Sequence, residues 1–204
     1  VALTLSSTKP TRTGYTFLGW STSSSATIAT YSAGGSYTTN ASVTLYAVWK
    51  PNTYTVTYNA NGGSGAPSSQ TKTYGVTLTL SSTKPTRTGY TFLGWSTSST
   101  ATSATFTAGS SYTSNSSVTL YAVWKVNTYT VSYNANGGSG APSVQTKTYG
   151  VTLTLSSTKP TRTGYTFLGW STSSTATSAT YSAGGSYTSN SSATLYAVWS
   201  VNTY

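Results

Sequence analysis

One segment of about 75 residues recurs along this chain, and this period constrains the fold more than any other feature. The run Lys-Pro-Thr-Arg-Thr-Gly-Tyr-Thr-Phe-Leu-Gly-Trp occupies residues 9–20, 84–95 and 159–170. A second run, Leu-Tyr-Ala-Val-Trp, follows each copy in the same phase. We therefore expect the C-terminal part of a repeat over 1–50, complete repeats over 51–125 and 126–200, and the start of a further repeat over 201–204.

Short strands are predicted within each repeat. Residues 54–59 alternate between apolar and polar side chains, the period-2 pattern of a half-buried strand. A second strand is expected over 76–80, a third over 90–95, and a short hairpin over 104–112. The strand expected over 118–124 is apolar on both faces, which favours the centre of the sheet. Since no segment of 11 or more residues has a helical period, the predicted class is mostly β with little or no helix.

The composition excludes most chemistry. The chain contains no Asp, Glu, His or Cys, and its 10 Lys and Arg residues give a formal net charge of +10. Without carboxylates or imidazoles there is no general acid–base pair and no metal-ligand set, and disulfides are impossible. We therefore expect no catalytic residue, no metal site and no cofactor, and we infer that the protein is not an enzyme. No apolar run approaches the ~20 residues that span a bilayer.

The linked motifs resemble a known repeat family. Pro-Thr-Arg-Thr-Gly-Tyr-Thr-Phe-Leu-Gly-Trp, then Thr-Leu-Tyr-Ala-Val-Trp and Asn-Thr-Tyr-Thr-Val, is similar to the Listeria–Bacteroides repeat, the B-repeat of internalin B and many bacterial surface proteins. The resemblance implies tandem β-grasp (ubiquitin-like) modules that serve as stalks or spacers, sometimes with adhesive roles. The absence of acids departs from the family's usual Asp, Glu and Lys content. The Ser/Thr/Ala-rich stretch after Trp95 favours loss of the β-grasp helix.

The cations permit two interpretations. They are dispersed, which is typical of solvated surface residues. Because no acid offsets them, an array of repeats could also hold anionic polysaccharide or an anionic cell surface. The candidate polyanion contacts are Lys72, Lys84, Arg87, Lys125, Lys147, Lys159 and Arg162. Alternatively, Arg12, Arg87 and Arg162 stack on an aromatic neighbour, since no carboxylate is available to them.

Tryptophans and asparagines supply two further candidate sites. The two Trp of each repeat either fill its core, the interpretation we favour, or form a platform on which sugars stack. Asn40, Asn115 and Asn190 each begin an N-glycosylation pattern at the same repeat position. A Lys–Asn isopeptide cross-link is not expected, because its formation normally needs an acidic residue.

Two functions follow from the sequence. The favoured one is an extracellular structural repeat: a stalk, spacer or fibre-forming segment at the cell surface. Its partners are neighbouring repeats and, in a fibre, other copies of the chain. The alternative is an adhesive module that binds polyanionic or glycan surfaces by avidity over many weak sites. No specific nucleic-acid partner is expected. With no side-chain carboxylate to protonate, stability is predicted to be nearly constant between about pH 2 and 8.

Overall fold

The computed structural model describes residues 1–203, and these residues form strands and loops with no helix. The strands, in chain order, are β1 (Leu3–Thr4), β2 (Tyr15–Ser21), β3 (Ser36–Tyr37), β4 (Tyr46–Pro51), β5 (Thr53–Asn59), β6 (Gln70–Thr73), β7 (Leu78–Thr79), β8 (Tyr90–Ser96), β9 (Ser111–Tyr112), β10 (Val118–Val126), β11 (Thr128–Asn134), β12 (Gln145–Thr148), β13 (Leu153–Thr154), β14 (Tyr165–Ser171), β15 (Ser186–Tyr187) and β16 (Ala193–Val201).

Contacts divide the chain into two compact units. One unit comprises Val1–Pro85 and Leu93–Val123, and the other comprises Thr86–Phe92 and Trp124–Tyr204. Both β8 and β10 contribute residues to each unit, so the contact division differs from the sequence period. The repeat boundaries derived from the sequence remain a prediction.

The second unit contains a four-stranded mixed sheet in the order β12-β11-β16-β14. Its two central strands, β11 and β16, run parallel, with Val131 opposite Ala193 and Tyr133 opposite Leu195. The outer strands β12 and β14 are antiparallel to their neighbours. The middle of strand β16 is buried, at Leu195, Ala197 and Val198. An apolar strand of this kind belongs at the sheet centre because both of its faces are covered.

Trp170 is the centre of the core in this unit. Its side chain is 0% exposed and contacts the rings of Tyr133 and Phe167 edge-on, with centroids 4.9 and 5.0 Å away. A bulge before Gly169 lets the segment at Tyr181 cross the strand and pair with the backbone of Trp170. A Cβ on Gly169 would lie 2.5 Å from the carbonyl oxygen of Tyr181, so only glycine permits this crossing.

The first unit repeats the same pairings. Val56 of β5 lies opposite Val118 of the parallel β10 and opposite Gln70 of the antiparallel β6. The full sheet order is β6-β5-β10-β8. The core includes Val56, Trp95 and Leu120, each 0% exposed. In the incomplete repeat at the start of the chain, β2 pairs with β4.

The mostly β, helix-free class predicted from the sequence is confirmed, as are strands β5, β8 and β10. Two local predictions were wrong. Over 76–80 only Leu78–Thr79 is a strand, since Val76 is 59% exposed and has no strand partner. No hairpin forms over 104–112, because Ser111–Tyr112 pairs with Leu78–Thr79 instead. The β-grasp assignment remains a prediction.

Candidate functional site

Consecutive repeats meet at a small cluster that we call the joint. In the first joint, the backbone N–H of Asn52 donates to the carbonyl oxygen of Gly14 at 2.8 Å. The N–H of Tyr74 then donates to the carbonyl oxygen of Asn52 at 2.9 Å. The hydroxyl of Thr16 donates to Oδ1 of Asn52 at 2.8 Å. Asn52 therefore connects the start of β2 in one repeat to Tyr74, which directly follows β6, in the next.

An aromatic ring covers the glycine of this joint. A Cβ on Gly14 would lie 2.2 Å from Cζ of Tyr74, well inside van der Waals contact. The ring of Tyr74 also meets the ring of Tyr15 edge-on, with centroids 5.7 Å apart. Any side chain at position 14 would displace Tyr74, so the glycine is needed for the tyrosine to pack.

The second joint reproduces the first. The N–H of Asn127 donates to the carbonyl oxygen of Gly89 at 2.9 Å, and the N–H of Tyr149 donates to the carbonyl oxygen of Asn127 at 3.0 Å. The hydroxyl of Thr91 donates to Oδ1 of Asn127 at 2.7 Å. A Cβ on Gly89 would lie 2.1 Å from the ring of Tyr149.

A third set of the same residues lacks the ring. Asn202 accepts from the hydroxyl of Thr166 at 2.8 Å and donates its N–H to Gly164 at 2.9 Å. In the described part of the chain, nothing lies within 4 Å of a Cβ on Gly164. This glycine has a φ of 77°, against 78° at Gly89. A substitution at Gly164 therefore introduces the same backbone strain as one at Gly89 but does not clash with a tyrosine ring. It serves as a matched control.

Each arginine stacks on the tyrosine three residues after it, which confirms the stacking alternative predicted from the sequence. Cζ of each guanidinium lies 3.8 Å from its ring centroid. The pairs are Arg12 on Tyr15, Arg87 on Tyr90 and Arg162 on Tyr165. Stacking occupies one face of the guanidinium but leaves the N–H edge open to hydrogen bonding.

Two of the seven candidate polyanion contacts lie in the interior, which corrects the expectation for them. Lys72 and Lys147 are each 1% exposed. Nζ of Lys72 donates to Oδ1 of Asn115 at 2.8 Å and to the carbonyl oxygen of Thr73 at 2.8 Å. Lys147 makes the equivalent bonds to Asn190 and Thr148, at 2.9 and 2.7 Å. A polyanion outside the protein cannot reach these ammonium groups.

The remaining candidates lie at the surface. Lys84, Lys125 and Lys159 are exposed, while Arg87 and Arg162 are half-buried. The three candidate glycosylation asparagines are exposed too, although Oδ1 is already engaged in two of them, Asn115 and Asn190. Polyanion binding and glycosylation at these residues remain predictions.

The tryptophans divide into two classes. Trp95 and Trp170 are fully buried, as the core interpretation predicted. The other four, Trp20, Trp49, Trp124 and Trp199, are half-buried. Trp199 donates its indole N–H to the carbonyl oxygen of Ala135 at 3.0 Å, so that tryptophan anchors the hairpin after β11.

The family assignment rests on the whole repeated sequence. The sequence profile described as the Listeria-Bacteroides repeat domain matches residues 2–48, 54–123 and 129–198. The chain belongs to the Listeria–Bacteroides repeat family. This family is a non-catalytic repeat type of bacterial surface proteins, and its three matches in tandem reproduce the sequence period.

Two similar proteins come from Evansella cellulosilytica. One, named "Putative Gly-rich membrane protein", is 33% identical over 192 residues, which cover 94% of this chain and 21% of that protein. The other, named "Putative membrane protein", is 35% identical over 162 residues, covering 79% of this chain and 23% of that protein. The chain thus spans less than a quarter of these curated relatives. No solved structure matches it.

Within the Listeria–Bacteroides repeat, one half-buried tyrosine is held at its hydroxyl. Tyr133 donates to Oε1 of Gln145, and its phenol oxygen accepts from the N–H of Ser156 at 3.1 Å. Burial raises the pKa of Tyr133 above its ordinary value of 10.0, and the bond from Ser156 partly opposes that rise. The pKa of Tyr58 is raised for the same reason. No helix in residues 1–203 has the length and apolar character needed to cross a membrane.

Proposed function

We propose that this chain is a non-catalytic structural segment, a stalk or spacer of a cell-surface protein, whose joints fix the orientation of consecutive repeats. The observation that carries the proposal is the joint, which occurs twice with the same bonds and the same buried glycine face. Membership of a surface-repeat family supports the location, as do relatives named as membrane proteins.

The connection between repeats is too short to act as a flexible tether. Strand β4 ends at Pro51 and β5 begins at Thr53, so Asn52 alone separates them. Asn127 alone separates β10 from β11. The N–H and the carbonyl of each asparagine are both hydrogen-bonded within the joint. A single residue with both backbone groups engaged has little freedom left to act as a hinge.

Hydrogen exchange of the intact protein tests the proposal. The N–H groups of Asn127 and Tyr149 should be protected, because both are bonded inside the joint. Gly89→Val should remove that protection by displacing Tyr149. Gly164→Val, which introduces the same backbone strain without a clash, should leave both amides protected.

Orientation is measured on the same samples. Residual dipolar couplings should fit one fixed arrangement of the repeats on either side of the joint in the unmodified protein, and that fit should fail in Gly89→Val. Free exchange at Tyr149 in the unmodified protein, or independent tumbling of its repeats, would overturn the spacer proposal.

Assembly of several chains into a fibre is a further form of this function. Exposed edge strands of near-identical repeats can pair between copies of the chain. Sedimentation over a wide concentration range separates the two forms: a chain that stays monomeric throughout acts as a spacer and does not build a fibre by itself.

A second candidate function is adhesion to polyanionic surfaces. Its support is the unbalanced charge of +10 together with the exposed positions of Lys84, Lys125 and Lys159. Each repeat would bind weakly, and an array would bind by avidity. The test is retention on immobilised heparin at physiological ionic strength. Elution of the protein below that salt concentration would refute adhesion to polyanionic surfaces.

A further inference from the structure

Arg162 is held in place but has no acceptor of its own. Its guanidinium lies against the ring of Tyr165 at 3.8 Å, and among residues 1–203 no oxygen accepts a hydrogen bond from it. The chain has no Asp or Glu that could do so. A guanidinium carries five N–H donors whose fork matches the two oxygens of a carboxylate or sulfate.

A glycine hairpin covers the same guanidinium. A Cβ on Gly137 would lie 3.3 Å from Cζ of Arg162, so the hairpin tip passes close to it. The hairpin is fastened there by paired backbone bonds between Ser139 and Thr161, at 2.8 and 2.9 Å. A Cβ on Gly138 would lie 2.6 Å from the ring of Trp199, so the hairpin backbone also packs on that indole. Arg162 is thus oriented before any ligand arrives, which lowers the entropy lost on binding.

These elements enclose an open cleft of about 730 Å³. Among the described residues that line it, Arg162 alone is charged, and the lining also includes Ser139, Thr163, Phe167 and Trp199. One cation beside hydroxyls and aromatic rings suits an acidic sugar. The acidic group would bind the guanidinium, the sugar hydroxyls would hydrogen-bond to the Ser and Thr side chains, and the apolar face of the sugar would pack on a ring. A nucleic acid would need several cations in a track along its phosphates.

We propose that this cleft binds the oxyanion of an acidic polysaccharide, a carboxylate or sulfate, with Arg162 as the anion-binding residue. The proposal rests on the adhesive function above and assigns it a site. The surface lysines supply long-range attraction, whereas the cleft recognises one acidic sugar at a time. A single site of this kind binds at roughly millimolar concentration, and the array multiplies it.

Arg12 provides a control within the same molecule. It stacks on Tyr15 at the same 3.8 Å, but it is exposed, whereas Arg162 is half-buried beside Gly137. An oxyanion that needs only a stacked arginine would bind Arg12 and Arg162 alike. One that needs the cleft would bind Arg162 but not Arg12.

Titration of the whole chain, observed by NMR at the arginine Nε–H groups, tests the site. Glucuronate and glucose 6-sulfate serve as acidic probes, inorganic sulfate tests the anion alone, and glucose is the neutral control. We expect saturable shifts at Arg162 with both acidic sugars, a response at least about tenfold weaker with inorganic sulfate, and none with glucose. Equal shifts at Arg12 and Arg162, or no saturation at Arg162, would overturn the proposal.

Two variants and one further ligand complete the test. Arg162→Lys keeps the charge but loses the fork, so the glucuronate affinity at this cleft should fall about tenfold. Lys9→Ala, which removes an exposed cation that is not among the candidate polyanion contacts, should leave it unchanged. A response to duplex DNA without one to the acidic sugars would replace the polysaccharide with nucleic acid. Retention on heparin that is unaffected in Arg162→Lys would refute the cleft while leaving adhesion by the surface lysines intact.

Discussion

The interior of a repeat and the joint between repeats are built by different means. The interior encloses a tryptophan and a lysine completely: Trp170 is 0% and Lys147 is 1% exposed. The joint relies on one tyrosine ring, one glycine and a few hydrogen bonds around Asn127. The difference indicates that the core contributes more to the stability of a repeat than the joint does.

Removing the core ring should have the largest effect. Trp170→Ala should destabilise the last repeat by about 3–5 kcal/mol, because it removes transfer free energy and leaves a cavity. Trp199→Ala, at a half-buried position of the same sheet, should cost distinctly less. Denaturant unfolding of the full chain measures both. Equal losses of unfolding free energy in the two variants would mean that the complete burial of Trp170 does not make it more stabilising than the half-buried Trp199.

The buried lysine should come next. Lys147→Ala removes the donor to Asn190 and to the carbonyl oxygen of Thr148, so we expect a loss of about 2–3 kcal/mol from unsatisfied acceptors. Lys147→Met keeps the apolar stem and should lose less. The surface variant Lys159→Ala should stay within about 0.5 kcal/mol of the parent protein.

The same pair can be checked by intact mass. The contact between Lys147 and Asn190 is a hydrogen bond at 2.9 Å, and the chain has no Asp or Glu side chain to promote a cross-link. The full mass calculated from the sequence is therefore expected. Loss of one ammonia for each complete repeat would show an isopeptide bond and would contradict the role of Lys147 as a buried donor.

A change confined to the joint should be smaller. Asn127→Ala removes one side-chain acceptor, that of the hydroxyl of Thr91, and leaves the backbone bonds in place. We expect about 0.5–1.5 kcal/mol at the second joint. Asn202→Ala removes the equivalent bond to Thr166 beside Gly164, where no described atom lies within 4 Å of a Cβ, and serves as the comparison. Proton exchange at Tyr149 should rise in the first variant and remain at its parental rate in the second.

Acid should have the smallest effect of all. The chain has no side-chain carboxylate, so unfolding free energy should change little between about pH 2 and 8. Tyr58 and Tyr133 have raised pKa values in the fold, so the neutral phenol is favoured by folding. That contribution is complete below pH 10 and is lost as pH rises through the raised values. A cooperative transition in circular dichroism inside the acid range would contradict this.

Strands with an alternating pattern could be predicted from sequence, whereas β6 could not. Its sequence, Gln-Thr-Lys-Thr, contains no apolar residue. The strand forms because β5 supplies a ladder and because Lys72 finds its acceptors inside the protein. A lysine in a Thr-rich stretch is predicted to be an exposed surface cation. Only the fold shows that its Nζ donates to Oδ1 of Asn115, 43 positions later.

The joint was likewise hidden from single-sequence reasoning. Gly14 and Tyr74 lie 60 residues apart, and nothing local to either predicts their contact. Gly89 and Tyr149 have the same separation in the next repeat. Every other pair of repeated residues also keeps its separation, so the period alone does not show which pairs are in contact. By contrast, the arginine stacks were within reach, because the tyrosine is three residues away and the chain has no acid to compete.

The joint also has a genetic consequence. Each joint takes its glycine from one repeat and its tyrosine from the next, always with the same spacing. Unequal recombination between such similar coding segments adds or removes whole repeats and leaves every remaining glycine opposite a tyrosine. The length of such a protein can therefore change in steps of one repeat between generations, with no new contact surface to evolve at the point of insertion.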